Sequence, residues 1–411
     1  MSETLVDNNF DLIIIGGGLA GASLACALKD TPLTVAVIEA FPLKTDSQPS
    51  YDDRTVALSY GSRCIFDALN LWAELEPYAQ AIDTIHISDR GHFGVTRLTK
   101  EQESVEALGY VLENRSVGQQ LYSTMSAAKN ITVFCPATLK TLQQNDQQVS
   151  IELLSDGQPC TLTATLLVAA DGNNSQVMNL LAIGSSQKSY QQMALVTNIT
   201  PGKKHNNVAY ERFTESGPLA FLPMQQNRCS VVWTLSPQQA EAMSALDEAE
   251  FLQQLQQCFG YRLGELKKVG ARQSYPLFLQ AATQTVHGRV VLIGNAAHSV
   301  HPVAGQGFNL ALRDIALLSE FIVDDFRAHD DIGASKRLHA YAELRQQDVK
   351  QVYRFTNTLV KTFSNAITPV AHLRSLSLLM VDIIPNIKHQ LAAQSMGLSR
   401  QRSRLTRGLP L

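Results

Sequence analysis

The apolar positions near the start of the chain predict a strand–helix–strand unit. Leu12-Ile13-Ile14-Ile15 is an unbroken run, too short for a helix and rich in β-branched residues, which is typical of a strand buried on both faces of a parallel sheet. Residues 22–29 carry apolar side chains at helical spacing, and residues 34–38 form a second β-type run that ends at Glu39.

Later stretches alternate between the two periods. The pattern predicts helices at 60–71, 115–128 and 246–259, and strands at 82–88, 132–135, 149–154 and 161–169. The strands 132–135 and 149–154 flank a turn at Asn145-Asp146. Residues 194–199, 208–213, 219–223 and 229–234 alternate in a way that favours a mainly antiparallel sheet with one covered face.

A second buried run, Val290-Val291-Leu292-Ile293, indicates that the chain returns to the first sheet, and beyond Gly305 the pattern is helical to about Met396. These shifts predict a Rossmann-like α/β domain with an inserted β-sheet domain. The expected divisions are 1–181 (with elements of the second domain near 82–112), 182–285, 286–345 and a helical C-terminal region at 346–411.

Composition narrows the class of protein. The 411 residues are 45% hydrophobic and 17% charged with a net charge of −3, which fits a globular protein and gives no electrostatic case for nucleic-acid binding. The six cysteines are scattered without metal-like spacing, so we expect reduced thiols, a cytoplasmic location and no metal site. No apolar run reaches the length of a membrane-spanning helix, and the polar N-terminus lacks signal-peptide features.

The first candidate site is the turn after residue 15. Gly16, Gly18 and Gly21 match the G-x-G-x-x-G pattern, in which glycines permit a tight turn, close approach to a pyrophosphate and close helix–strand packing. The helix N-terminus offers unpaired N–H groups to phosphates, and Glu39 stands where a carboxylate accepts ribose hydroxyls. The sequence therefore predicts a dinucleotide site but leaves the dinucleotide open.

Two further stretches follow buried strands. Asp171-Gly172 ends the run at 166–170, at the edge of the sheet where α/β folds bind ligands, although Asp-Gly is also a common turn. Asn295 can bond a sugar-like chain, and Gly305, Gln306 and Gly307 can bring backbone N–H groups against a flat ring. His298 and His301 are candidate acid–base groups or structural histidines.

These three stretches, in this order, resemble the class A flavoprotein aromatic monooxygenases related to p-hydroxybenzoate hydroxylase. Within that class the chain looks like the ubiquinone-biosynthesis hydroxylases. The resemblance is carried also by Ile87-Ser88-Asp89-Arg90-Gly91-His92, Glu211-Arg212-Phe213, Ser274-Tyr275-Pro276-Leu277 and Gly294-Asn295-Ala296-Ala297, which look closest to the members acting on 2-polyprenyl-6-methoxyphenol.

The resemblance implies a role for each matching residue. Gly16, Gly18, Gly21 and Glu39 would hold the ADP half of FAD, Asp171 and Gly172 would lie near the pyrophosphate, and Asn295 would meet the ribityl and phosphate part. Flavin-contacting positions are occupied by Arg54, Gln119, Pro302, Gly305, Gln306, Gly307, Phe308 and Asn309. Two positions depart from the family pattern, because Asn295 replaces an aspartate and Met178 stands near the place of an arginine.

The resemblance also implies the chemistry. NAD(P)H would reduce FAD, and a flavin C4a-hydroperoxide formed with O₂ would hydroxylate a prenylated phenol in ubiquinone biosynthesis. His298 and His301 are the candidates for the base that such a reaction needs. An apolar stretch at 373–384 and the arginine-rich tail at 399–407 suggest either helix packing or peripheral contact with the inner face of the membrane. A complex with other proteins of the pathway is a further expectation.

Three alternatives remain open from the sequence. The first is hydroxylation at another ring position in the same pathway. The second is a flavin dehydrogenase or reductase of the same fold, and the third is a non-catalytic subunit that binds FAD within an assembly.

Overall fold

The computed structural model describes residues 8–42, 54–91, 94–300, 305–363, 382–398 and 403–411. Within them, three sheets and the helices around them build a mixed α/β architecture. The helices are α1 (Leu19–Ala27), α2 (Tyr60–Ala68), α3 (Trp72–Leu75), α4 (Lys100–Glu103), α5 (Asn114–Ala127), α6 (Gln176–Leu180), α7 (Pro237–Ala245), α8 (Glu248–Phe259), α9 (Gln306–Arg327), α10 (Ser335–Phe363) and α11 (Pro385–Ser395).

The first sheet has eight strands and carries the glycine-rich turn. They are β1 (Asn9–Ile15), β2 (Val35–Ile38), β8 (Ile131–Phe134), β9 (Ala137–Gln144), β10 (Val149–Ser155), β11 (Gln158–Ala169), β18 (Val286–His287) and β19 (Val290–Leu292). Its spatial order is β18-β19-β11-β1-β2-β8, parallel from β19 to β8, with β10 and β9 added antiparallel to β11. The predicted strand–helix–strand unit forms its centre.

The apolar run of β1 is buried on both sides of this sheet. Leu12 and Ile14 pack into one hydrophobic core, and Ile13 and Ile15 pack into another on the opposite face. Full burial of a short, continuous apolar strand is the arrangement that its sequence predicts. Because β1 lies between β11 and β2, the loops that follow these three strands meet at one edge of the sheet.

One predicted pairing is wrong. Residues 132–135 and 149–154 do not flank one turn, because β8 pairs parallel with β2 in the main sheet. The partner of β10 across the turn is β9, which the sequence analysis missed. Much of β9 is exposed and its sequence is mostly polar, so it lacks the apolar alternation that marks a half-buried strand.

The second sheet has nine strands and is the larger antiparallel unit. They are β5 (Thr84–Asp89), β6 (Val95–Thr99), β12 (Ser185–Pro201), β13 (Val208–Thr214), β14 (Gly217–Met224), β15 (Arg228–Leu235), β16 (Leu266–Val269), β17 (Gln273–Ala282) and β20 (His298–Ser299). All pairs are antiparallel except β5 with β13.

A third sheet of three strands, β3 (Thr55–Ser59), β4 (Gln80–Ile82) and β7 (Gly109–Glu113), lies between the other two. One face of the second sheet packs on α7 and α8 through Leu219, Trp233 and Phe251. The opposite face meets the three-stranded sheet, where Ala209 and Met224 pack with Ile82 and Val111. The domain divisions expected from the sequence stay predictions.

The predicted helical region beyond Gly305 contains α9, α10 and α11, with a break at residues 328–334. None of the helices in the described ranges is long and apolar enough to cross a membrane. Most of the apolar stretch at 373–384 and part of the arginine-rich tail lie outside the described residues.

Candidate functional site

The glycine-rich turn after β1 accepts only glycine at two of its three motif positions. Gly16 has φ +101°, and a Cβ there would lie 2.6 Å from the carbonyl oxygen of Ala170. A Cβ on Gly21 would lie 1.9 Å from the carbonyl oxygen of Gly16. Gly18 is the N-cap of α1 and has no capping side chain. The turn therefore brings backbone, rather than side chains, to the N-terminus of α1.

Glu39 is fixed beside this turn. Its side chain is buried, one carboxylate oxygen accepts the N–H of Gly17 at 2.6 Å, and the other accepts the N–H of Phe41 at 2.8 Å. The end of β2 thus places a carboxylate next to the phosphate-binding type of turn, as the sequence predicts.

Asp171 lies at the end of β11, the strand adjacent to β1. Its Oδ2 accepts the N–H groups of Gln176 and Val177 at 2.7 and 3.2 Å, whereas its Oδ1 is buried without a hydrogen-bond partner. Burial raises the pKa of Asp171, and these backbone donors and Ser175 act in the opposite direction. Gly172 follows with φ +83°, so the chain turns sharply and leaves one polar oxygen unsatisfied at the edge of the sheet.

Met178, near the place where the resemblance expects an arginine, lies in α6. Its side chain is buried in the core cluster that also holds Ile13 and Val177. In this chain the position therefore contributes to packing.

The loop after β19 begins with a short 3₁₀ turn, Gly294–Ala296. Gly294 has φ +56°, and a Cβ there would lie 3.3 Å from that of Ala20 and 3.4 Å from that of Ala311. The side chain of Asn295 is exposed and has no partner among the described residues. Its amide is therefore available to a ligand at the same edge as Gly16 and Asp171.

A buried ionic network supports this loop. Asp314 of α9 accepts the N–H of Gly294 at 3.1 Å, and the same Oδ2 lies 2.7 Å from Nε2 of His298. Its Oδ1 accepts the Nε–H of Arg345 at 2.7 Å, and Arg345 also binds Asp348. Although burial opposes ionisation, His298 and Arg345 together lower the pKa of Asp314 to about 2.

His298, a candidate base from the sequence, is thus buried and paired with a carboxylate. This placement favours a structural role for His298. His301 and Pro302 lie outside the described residues. The sequence analysis gave Asp314 and Arg345 no role, because they lie 31 residues apart on two helices and no local motif joins them.

The N-terminus of α9 is held by Asn309. Its Oδ1 accepts from the backbone N–H of Ser59 and the hydroxyl of Ser62, at 2.8 and 2.7 Å. Its amide donates to the carbonyl oxygens of Ala57 and Gly305, at 2.8 and 2.7 Å. All four hydrogen bonds are within the protein, so Asn309 positions Gly305, which has φ +61°, at the start of the helix.

The other predicted residues of this helix start differ in their surroundings. Gln306 is buried and Phe308 packs against the main core. A Cβ added to Gly307 would meet no atom within 4 Å. Open space therefore lies in front of the first turn of α9.

Arg54 and Gln119, which the resemblance assigns to the flavin, lie on other elements. The guanidinium of Arg54 stacks 4.9 Å above the ring of Tyr275, linking the start of β3 to β17. Gln119 is exposed on α5. Neither contacts the network around Asp314 through any hydrogen bond found in the described residues.

The second sheet presents a partly open face toward the three-stranded sheet. Val196, Ala220 and Val232 are directly paired across β12, β15 and β14 and are all partly accessible, whereas Leu195 and Val231 on the reverse face are buried. Glu211 of β13 pairs with Ala220 and lies on this same face. A cleft lined mainly by apolar side chains therefore runs along the sheet.

The cleft is connected to α9 through β3. The hydroxyl of Thr55 donates to that of Ser230 on the accessible face at 2.8 Å, and the other end of β3 is bound to Asn309. This connection places the sheet face and the start of α9 on either side of one strand.

Comparison with known proteins agrees with this architecture. A family model described as "FAD binding domain" matches residues 9–356. The p-nitrophenol 4-monooxygenase PnpA of Pseudomonas putida superposes with a TM-score of 0.80 at 17% identity, covering 96% of this chain and 100% of that one. The fold is therefore that of the p-hydroxybenzoate hydroxylase type, and the protein is a flavoprotein monooxygenase.

Two relatives identify the branch of this class. The ubiquinone hydroxylase UbiL of Rhodospirillum rubrum is 37% identical over 413 residues, covering 98% of this chain and 94% of the relative. The 3-demethoxyubiquinol 3-hydroxylase of Escherichia coli is 30% identical over 401 residues, covering 94% and 98%. The chain belongs to the ubiquinone-biosynthesis hydroxylase family.

The residues present fit FAD. The turn at Gly16 and Gly21 is closed to any side chain, which leaves its backbone to a pyrophosphate. Asp171 keeps one buried oxygen unsatisfied, Asn295 exposes its amide, and the space beside Gly307 is open. A long, polar ligand with a flat end complements all four features.

Proposed function

We propose that this protein hydroxylates the ring of 2-polyprenyl-6-methoxyphenol during ubiquinone biosynthesis, with FAD as its bound cofactor and NAD(P)H and O₂ as co-substrates. The observation that carries the proposal is the apolar cleft beside the FAD-type site, in a chain whose relatives are named ubiquinone hydroxylases. An apolar cleft suits a phenol with an isoprenoid tail.

In this proposal, the ADP half of FAD is bound by the turn at Gly16, Gly18 and Gly21 and by Glu39. Asp171, Gly172 and Asn295 hold its central part, and Gly305, Gln306, Gly307 and Phe308 lie beside its ring, with Arg54, Gln119 and Pro302 as further contacts. Bound FAD supplies the activation of O₂ and the transfer of one oxygen atom to the substrate ring.

The protein's own part is positioning and exclusion of water. Asn309 fixes the first turn of α9 on β3, and the Asp314 network fixes the loop of Asn295 from below. Val196, Ala220 and Val232 provide an apolar wall against which an aromatic ring can lie. Such a wall excludes water from the reacting carbon and lowers the local dielectric constant.

A second ring position is favoured by one observation. The relative from Escherichia coli that covers 94% of this chain is named as a 3-demethoxyubiquinol 3-hydroxylase. Hydroxylation at that position would use the same cofactor site and the same cleft. The difference between the two reactions lies in how the ring is oriented against the sheet.

Contact with a membrane surface belongs to the same proposal. Ile383, Ile384 and Ile387, at the start of α11, are 66%, 40% and 43% exposed, which supports peripheral docking near the source of a prenylated substrate. Flotation with lipid vesicles tests it: loss of binding in an Ile383→Ser, Ile387→Ser variant is expected, and binding equal to the unmodified protein contradicts it.

Deletion of the gene, followed by analysis of quinone lipids, tests the substrate. Accumulation of 2-polyprenyl-6-methoxyphenol is expected. Accumulation of 3-demethoxyubiquinol would favour the second ring position, and normal ubiquinone would exclude both.

A further inference from the structure

Glu211 is an ionisable residue on the accessible face of the second sheet. Strand alternation places it on the same side of β13 as Ala209, which packs toward the three-stranded sheet. Its neighbours in register are Ala220 on β14 and Ile87 on β5. The carboxyl group therefore lies among apolar side chains at the edge of the cleft.

The Glu211 carboxyl has no hydrogen bond or ion pair among the described residues, although the side chain is partly accessible. Burial alone raises its pKa to about 7. A carboxyl in apolar surroundings without a protein partner costs stability, and such groups are concentrated at functional sites.

The other ionisable side chains on this face have contacts of their own. Arg228 binds Glu113 at 2.8 Å, and the hydroxyl of Tyr275 donates to Gln273. Asp89 is buried and also has a partner. None of them accounts for the raised pKa of Glu211, so the carboxyl is left to interact with a ligand in the cleft.

We propose that Glu211 accepts the proton of the substrate's phenolic hydroxyl. The phenol O–H bond breaks, an O–H bond forms on the Glu211 carboxylate, and the negative charge moves to the phenol oxygen. The electron-rich ring that results is the form attacked by an electrophilic oxygen atom. This role rests on the proposed function for the identity of the substrate.

The role is consistent with the surroundings of the carboxyl. A carboxylate that titrates near neutral pH is matched to the task of a general base. In an apolar cleft, a phenol hydroxyl is also its natural hydrogen-bond donor, because hydrogen bonds to charged acceptors are stronger than neutral ones. Glu211 therefore fills the place that the sequence analysis expected His298 or His301 to fill.

Ligand binding tests the assignment without turnover. A short-chain 2-prenyl-6-methoxyphenol and its methyl ether are titrated into the FAD-loaded protein, with flavin fluorescence as the readout. Above pH 7 the unmodified protein should prefer the phenol about tenfold or more. That preference should weaken below pH 7, as Glu211 becomes protonated.

Glu211→Gln should bind both ligands with little preference and without this pH dependence. Glu215→Gln, at an exposed turn position between β13 and β14, is the matched control and should behave like the unmodified protein. Turnover of the phenol by Glu211→Gln should fall by about 10²- to 10⁴-fold at unchanged FAD content.

The outcomes separate the two proposals. If the Glu211→Gln protein keeps a pH-dependent preference for the phenol, the assignment of Glu211 is overturned, whatever the turnover. If the preference depends on Glu211 but the unmodified protein forms no hydroxylated product, the proposed function fails and the assignment of Glu211 as acceptor of the phenol hydroxyl stands.

Discussion

Asp314→Asn is the substitution that most directly perturbs the support of the cofactor loop. It removes a negative charge that lies 2.7 Å from both His298 and Arg345 and that also accepts the N–H of Gly294. The amide nitrogen of asparagine would face one of these donors. Arg345 would keep only Asp348 as an anionic partner.

The structure sets the size of the effect. A pKa of about 2, against the usual 3.8, corresponds to about 2 kcal/mol of stabilisation of the ionised carboxylate. Removing one member of a buried ion pair leaves the other uncompensated and costs about 3–5 kcal/mol. Because the entropy of unfolding grows with chain length, about 3 kcal/mol lowers the Tm of this 411-residue protein by only about 3 °C.

The contribution also depends on pH in a defined direction. The folded pKa lies below the usual one, so the stabilisation is fully present at neutral pH and is lost as the pH falls from about 4 toward 2. Asp314→Asn should lack this acid-dependent loss.

Thermal unfolding and release of FAD fluorescence provide the assay. We expect Asp314→Asn to release FAD at a lower temperature than the unmodified protein. Asp67→Asn, which removes a 52% exposed partner of Arg63, should change stability by less than about 0.5 kcal/mol. Equal flavin release and equal Tm in Asp314→Asn and the unmodified protein would refute the reasoning.

Two further substitutions test the start of α9. Gly307→Ala places a methyl group where the FAD-free protein has open space, so it should leave the free protein as stable or up to about 1 kcal/mol more stable yet weaken FAD binding at least tenfold, as measured by titration with FAD. Unchanged FAD affinity would place the flavin ring elsewhere. Asn309→Ala removes four hydrogen bonds and should lower the free energy of unfolding by about 2–4 kcal/mol, measured in urea; a loss below 0.5 kcal/mol would contradict its role in holding Gly305.

The cofactor end of the molecule could be predicted well from the sequence, because each of its parts is local. Gly16, Gly21 and Glu39 belong to one strand–helix–strand unit, and Asp171 directly follows a buried strand. Parallel strands then bring these separate stretches to one edge of a sheet without further information. The order of apolar runs alone therefore located most of the site.

The supporting and substrate-facing residues could not be predicted in this way. Asp314 and Arg345 acquire their roles only when α9 packs on α10, and Asn309 only when α9 meets β3. Glu211 reads in the sequence as an ordinary polar position of an alternating strand. Its partners depend on which face of the sheet is covered by helices, which the sequence pattern does not specify.

Incorporation of labelled oxygen tests the central claim most directly. The FAD-loaded protein is supplied with NADH or NADPH, ¹⁸O₂ and 2-polyprenyl-6-methoxyphenol, and the product is analysed by mass spectrometry. A monooxygenase acting on this ring should add one ¹⁸O atom per product molecule, with O₂ consumption stimulated by the phenol. Reduced cofactor oxidised without any labelled product, or no turnover with the flavin intact, would contradict the account.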